Sequence, residues 1–204
     1  PGHSSAASDV YKRQYLGNQH IVGDSVRNFK VLDDISSHTA TFDGSSASVV
    51  STSDNTIRII NHRFVQGQRV VYSNGGGGNI NGLTANAYYI IKDSPHTFKL
   101  AANESDAASL TPINLTSVGT GSSHTLRVSF DGVNKKFKAT HSSGNKTHIH
   151  HATQLSVSIN NVPQRPNDNL TFTEGFAVEN KSIIVFKQAP IPTDIFFGSA
   201  FGET

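Results

Sequence analysis

The chain has 204 residues, 35% hydrophobic and only 16% charged, with a formal charge of +2 and neither cysteine nor methionine. Disulfides and thiolate metal sites are excluded, and 17 basic residues scattered among 15 acidic ones form no nucleic-acid stripe. No run reaches the roughly 18 apolar residues that a membrane-crossing helix needs. Ser, Thr, Asn and Gly supply the polarity instead, which suits half-buried antiparallel sheets with wide turns.

In chain order, residues 1–14, with Asp9-Val10-Tyr11-Lys12-Arg13-Gln14, are expected to be a non-native read-through segment. With Met absent even at position 1, the chain is expected to be a partial translation. Residues 15–44 read as a connector or the end of a preceding module. Their last part, Ser36-Ser37-His38-Thr39-Ala40-Thr41-Phe42-Asp43-Gly44, returns with two residues added as Ser122-Ser123-His124-Thr125-Leu126-Arg127-Val128-Ser129-Phe130-Asp131-Gly132. A duplicated strand and turn at this separation is a mark of tandem or inserted modules.

Residues 45–127 read as a small β-barrel or rolled sheet. The β-branched run 56–60 predicts a strand, 63–65 and 69–72 flank Gln66-Gly67 as a hairpin, and 88–92, 97–100 and 113–115 add three strands. Residues 103–108 predict one helical turn, which Asn103 or Ser105 can cap and Ala107-Ala108 favours. Short strands in so few residues favour a barrel over a thick sandwich.

Residues 128–204 read as an antiparallel β-sandwich. Leu155, Val157 and Ile159 alternate with serines, so one face is buried, and Asn160-Asn161 tolerates the positive φ of a tight hairpin. Leu170 and Phe172, then Phe176 and Val178, alternate again. Ile183-Ile184-Val185-Phe186 predicts a central strand covered on both faces, Ala189-Pro190-Ile191-Pro192 closes it, and 195–197 is the last strand. The fold class expected is all-β throughout.

Gly75-Gly76-Gly77-Gly78 lacks the Gly-Lys-Ser/Thr ending of a phosphate loop, so it predicts the exposed tip of a loop spanning 73–81. The candidate ligand-binding residues are Tyr72, Tyr88 and Tyr89, whose rings can stack on a sugar, with Asn74 and Asn79 on the loop. Tyr88 and Tyr89 are adjacent in a strand and must face opposite sides. His148 and His150, two apart with His141 and His151 nearby, are the candidate metal ligands; across a threefold axis they would offer six nitrogens. The alternative for the same pair is a solvated loop, signalled by Ser142-Ser143-Gly144-Asn145. Asp43 and Asp131, each before glycine, read as turn residues. No carboxylate pair or nucleophile and base have catalytic spacing, so no catalytic residue, no cofactor and no enzyme activity are expected.

Asn61-His62-Arg63-Phe64 with Gly67-Gln68-Arg69-Val70-Val71-Tyr72, Gly82-Leu83 with Tyr88-Tyr89-Ile90-Ile91, and Ile113-Asn114-Leu115-Thr116 with Gly119-Thr120-Gly121 and His124-Thr125 together form one pattern. Phe130-Asp131-Gly132, the run Gln154 to Gln164 with Asn160-Asn161-Val162-Pro163-Gln164, and Gln188-Ala189-Pro190 continue it. The pattern resembles β modules of tailed-phage virion proteins of the tail-fibre and adhesin-like type, especially those of marine phages. It departs where Arg63 and Asn161 stand in place of the usual glycines. The resemblance implies a virion tail component built with other virion proteins, a homo-oligomer, typically a trimer, and contact with host surface glycans. Neither nucleic acid nor membrane is expected as a partner. A carbohydrate-binding module of a bacterial surface protein is the alternative.

Overall fold

The computed structural model describes residues 29–142 and 144–201; the segment expected to be read-through, 1–14, and the first half of the expected connector lie outside them. The described chain is all-β, with one short α-helix and a single turn of 3-10 helix (Ala152–Gln154). It begins with β1 (Phe29–Val31), followed by β2 (Ser37–Phe42), β3 (Val50–Ser51), β4 (Thr56–Arg58), β5 (Arg69–Ser73), β6 (Ala87–Lys92), β7 (Thr97–Ala101) and β8 (His124–Ser129). Strands β2 to β8 form one antiparallel sheet in the order β2-β8-β5-β6-β7-β4-β3.

That sheet has to curl. Its two edges, β2 and β3, are joined by only seven residues, and Ser46 already draws Val49 and Val50 into a turn. A flat sheet of seven strands would hold its edges about 29 Å apart, farther than such a link spans. The result is a half-barrel. Alternation follows the curl: Val70, Tyr72, Tyr88, Ile90, Phe98, Leu100, Leu126 and Val128 point inward and are buried, while Arg69, Val71 and Tyr89 face out. On the outer face, α1 (Glu104–Ala108) lays Ala107 over Ile91 and Ala101. Of the two residues expected to cap it, Asn103 does so, with Asp106 N–H donating to Asn103 Oδ1 at 2.9 Å.

Two strands expected in the barrel are absent. Residues 63–65 form no hairpin with β5, because Phe64 turns into the barrel and meets Phe98 edge-on with ring centroids 5.2 Å apart. Residues 113–115 run as irregular chain tied by Ile113 N–H to Leu100 O and by Leu115 N–H to Asn55 Oδ1. In both places burial of one side chain, not strand pairing, sets the path.

The second assembly contains β9 (Lys136–Lys138), β10 (Thr140–His141), β11 (Asn145–Lys146), β12 (Leu155–Ile159), β13 (Val162–Pro163), β14 (Pro166–Asn167), β15 (Phe176–Glu179), β16 (Ile183–Phe186) and β17 (Phe196–Phe201). Its sheets are β1-β17-β12-β13 and β14-β15-β16-β9, with β10 and β11 as a separate ribbon. Leu155, Val157 and Ala200 from the first sheet and Phe137, Phe176, Ile184 and Phe186 from the second share one core. The hairpin at Asn160-Asn161 has φ of 52° and 63°, as the sequence predicts. Residues 170–172 form no strand and leave Leu170 exposed, and the last strand continues past 197 to Phe201.

Because β1 pairs with β17, the half-barrel is an insertion between the first strand of the sandwich and β9. The duplicated segments are the neck of that insertion. They do not belong to separate modules flanking the barrel; they are β2 and β8, paired antiparallel from Ser37↔Ser129 to Phe42↔His124. The barrel therefore runs from 37 to 129, and the stretch expected to be a connector supplies strands to both assemblies.

Candidate functional site

The two assemblies meet through side chains of the Gly67-Gln68-Arg69 turn. Gly67 has φ +72°, which lets the chain reverse before β5. Gln68, 3% exposed, accepts from Val65 N–H and donates to Lys136 O at 2.8 Å. Asn134, also buried, accepts from Arg69 N–H and donates to Arg69 O, both at 2.8 Å, so its amide completes the free edge of the strand. Arg69 reaches back to Asp131, whose other oxygen accepts from Val133 and Asn134 N–H. Asp131 is thus a turn residue, as expected, and also the acidic half of the junction. Asp43 is the corresponding turn residue in the first copy, where bonds from the Ser45 hydroxyl and amide hold its carboxyl below the usual carboxylate range.

A groove of about 410 Å³ opens beside this junction, lined by Arg69, Tyr89, Glu104, Asn134, Lys135 and Lys136 with Val133 and Val185. The half-buried Tyr89 comes from the outer face of β6 and packs against the patch that α1 covers. An aromatic face among amide, carboxylate and ammonium groups is what a sugar ring needs, with apolar contact on one side and hydrogen bonds at its edge.

The other candidates do not join Tyr89. Tyr72 is 1% exposed and Tyr88 7%; neither offers a ring face to a ligand, so both are corrected to core residues. The Tyr88 hydroxyl donates to Thr84 O at 3.1 Å and accepts from Thr84 N–H at 2.8 Å. Tyr72 bonds His124 inside the barrel, and burial raises its hydroxyl pKa above the ordinary range. Asn74 and Asn79 bond each other across the glycine loop at 2.8 Å. The loop is exposed at Gly75, Gly76 and Asn79, as expected, but it is docked: Gly78 and Thr120 exchange backbone bonds of 3.1 and 3.0 Å, and Ile80 at its end is fully buried.

His148 and His150 do share one exposed side, with ring centroids 5.0 Å apart and Ile149 buried between them. Among the described residues no group of three or more His, Cys, Asp or Glu converges for a metal. Gln68 enters the sequence reading only as part of the Gly67-Gln68-Arg69 pattern, and Asn134 and the groove residues Glu104, Lys135 and Lys136 were not singled out as site residues. Their partners lie up to 68 positions away, and no local spacing announces such a pairing. Comparison of the chain with protein-family models, with curated proteins and with solved structures finds no match.

Proposed function

We propose that this chain is a non-enzymatic segment of a virion tail fibre or adhesin-type structural protein. In this reading it works in a symmetric homo-oligomer, a trimer by the resemblance, alongside other virion proteins, and contacts host surface glycan through the groove around Tyr89. The observation that carries the glycan part is the groove itself, where a half-buried tyrosine faces out beside Glu104, Asn134, Lys135 and Lys136. Binding fits it better than hydrolysis, because glycoside cleavage ordinarily uses two facing carboxylates and Glu104 is the one carboxylate among its lining residues. The insertion architecture supports the display role, since the neck strands and the Gln68 and Asn134 clamps hold the barrel firmly on the sandwich.

A glycan array tests the contact. The expected result is a defined saccharide hit that Tyr89→Ala abolishes and Asn74→Ala leaves intact; hits indifferent to Tyr89 would remove the groove from the proposal. Light scattering of the whole chain tests the oligomer, and a strict monomer at high concentration overturns that part. The same groove would serve a carbohydrate-binding module of a bacterial surface protein, and virion membership is tested by whether the encoding gene neighbours portal, tail-tube or tail-chaperone genes.

A further inference from the structure

A second cleft lies where the open end of the barrel meets the β10–β11 ribbon. It encloses about 310 Å³ and is lined by Asn61, His62, Arg63, Phe64, Lys92 and Pro95 from the barrel and by Lys138, Thr140, Gly144, Asn145 and Lys146 from the sandwich. Four of these side chains are cationic and none is a carboxylate, in a chain whose charges otherwise nearly balance. Among the described residues, the ion pairs Arg69–Asp131, Lys136–Glu179 and Arg165–Glu174 use other cations. The nearby acids are already hydrogen-bonded: Asp93 accepts from the Thr97 hydroxyl at 2.6 Å, Asp34, which shares a neighbouring pocket with Arg63 and Lys138, accepts from the Ser36 amide and hydroxyl at 2.8 and 2.9 Å, and Asp33 Oδ2, behind the cleft wall, accepts from Thr140 Oγ1–H and Gly144 N–H at 2.7 and 2.9 Å.

The Arg63 guanidinium lies against Gly144, where a Cβ would come within 2.1 Å of it, and the φ of +107° there favours glycine. Lys138 is half-buried and donates to Ser182 Oγ at 2.6 Å. Burial, then the nearby ammonium groups of Lys92 and Lys146, lower its pKa. Cations gathered in one cleft repel one another and destabilise the fold, and an anion in the cleft would relieve that cost.

We propose that this cleft binds the sulfate or phosphate ester group of an acidic saccharide, in a site distinct from the Tyr89 groove. Cations on opposite walls suit an oxyanion, and the volume fits a saccharide unit as well as its ester, being within the usual range for small-molecule sites of about 300–1,000 Å³. Single-stranded nucleic acid fits less well. It calls for exposed aromatic platforms along a basic track, and the one aromatic ring here besides His62 is Phe64, 1% exposed.

Titration calorimetry on the whole chain at low ionic strength tests the site, with a sulfated oligosaccharide, its unsulfated counterpart, inorganic sulfate, inorganic phosphate and a short single-stranded oligonucleotide as separate probes. The expected result is binding of the sulfated oligosaccharide, weaker binding of the free ions and none of the unsulfated form. Affinity should fall by about tenfold or more in the exposed-residue variant Lys92→Gln/Lys146→Gln and be unchanged in Tyr89→Ala. The proposal is overturned if the sulfated probe fails to bind, if the double variant binds it equally well, if the free ions bind as tightly as the saccharide, or if the oligonucleotide binds more tightly. Since Tyr89→Ala serves as the control, loss of the groove's function and loss of this site read out separately.

Discussion

Tyr72 and His124 hold each other at the centre of the half-barrel, with Tyr72 Oη 2.7 Å from His124 Nδ1 and both side chains buried. The arrangement that satisfies every atom has Ile80 N–H donating to Tyr72 Oη, the Tyr72 hydroxyl donating to Nδ1, and Nε2–H donating to Thr120 O at 3.0 Å. The pair therefore couples the barrel interior to the glycine loop at Ile80 and to the segment it docks against at Thr120. Gly44 and Gly119 are part of the same device, since a Cβ at either would strike the His124 ring at 2.4 or 2.8 Å.

Tyr72→Phe leaves a buried histidine nitrogen and the Ile80 N–H without their partner. The expected loss is about 1–3 kcal/mol of unfolding free energy, read by urea denaturation, with the exposed-face change Tyr89→Phe costing little. Equal losses from the two substitutions would show that the network is not a stability element.

Gly76 and Gly77 are neighbours with opposite demands. At Gly76, φ is +91° and a Cβ meets nothing within 4 Å, so Gly76→Ala should cost about 1 kcal/mol of backbone strain. At Gly77 a Cβ would lie 1.8 Å from the Thr120 carbonyl, and Gly77→Ala should force the loop off its dock. Hydrogen exchange at the Gly78 and Thr120 amides is expected to accelerate in Gly77→Ala and to change little in Gly76→Ala.

His38 and His62 make stability depend on pH in one direction. Burial lowers both pKa values; Arg63 and then His62 add to the effect at His38. The His62 ring donates from Nε2 to Ser94 O, while its buried Nδ1 has no hydrogen-bond partner among the described residues. The unfolded chain, with histidines near pKa 6.5, then binds more protons than the folded one, so stability rises with pH across that window. It should be fully present above about pH 6.5 and decline as pH falls toward the lowered folded values. Melting temperatures between pH 7 and 5 check this, and His38→Gln should flatten the slope.

Lys138 should cost the fold stability that its cleft uses for binding. Lys138→Met keeps most of the aliphatic stem and removes a half-buried charge beside Lys92 and Lys146, and Ser182 keeps its bond to Asn180 O. A gain of about 1 kcal/mol or less is expected once solvent screening is allowed for, together with weaker binding of the sulfated probe. A variant that is both less stable and equally good at binding would contradict this trade.

Local pattern was enough for the all-β class, the alternation of Leu155 and Val157, the Asn160-Asn161 hairpin, the Asn103 cap and the turn roles of Asp43 and Asp131. These depend on strand periodicity, backbone preference and bonds made within three or four residues, which the order of side chains alone dictates. The outward turn of Tyr89 against Tyr88 follows from the same periodicity.

Only the tertiary structure decided that the repeated Ser-Ser-His-Thr segments are partners in one sheet, that Tyr72 and Tyr88 are core, and that the glycine loop is docked. It alone brought Arg63 and Lys92 to Lys138 and Lys146. Each depends on residues that meet across tens of positions, where chain closure and competition for the same buried volume choose the partner. Sequence spacing carries no record of that choice.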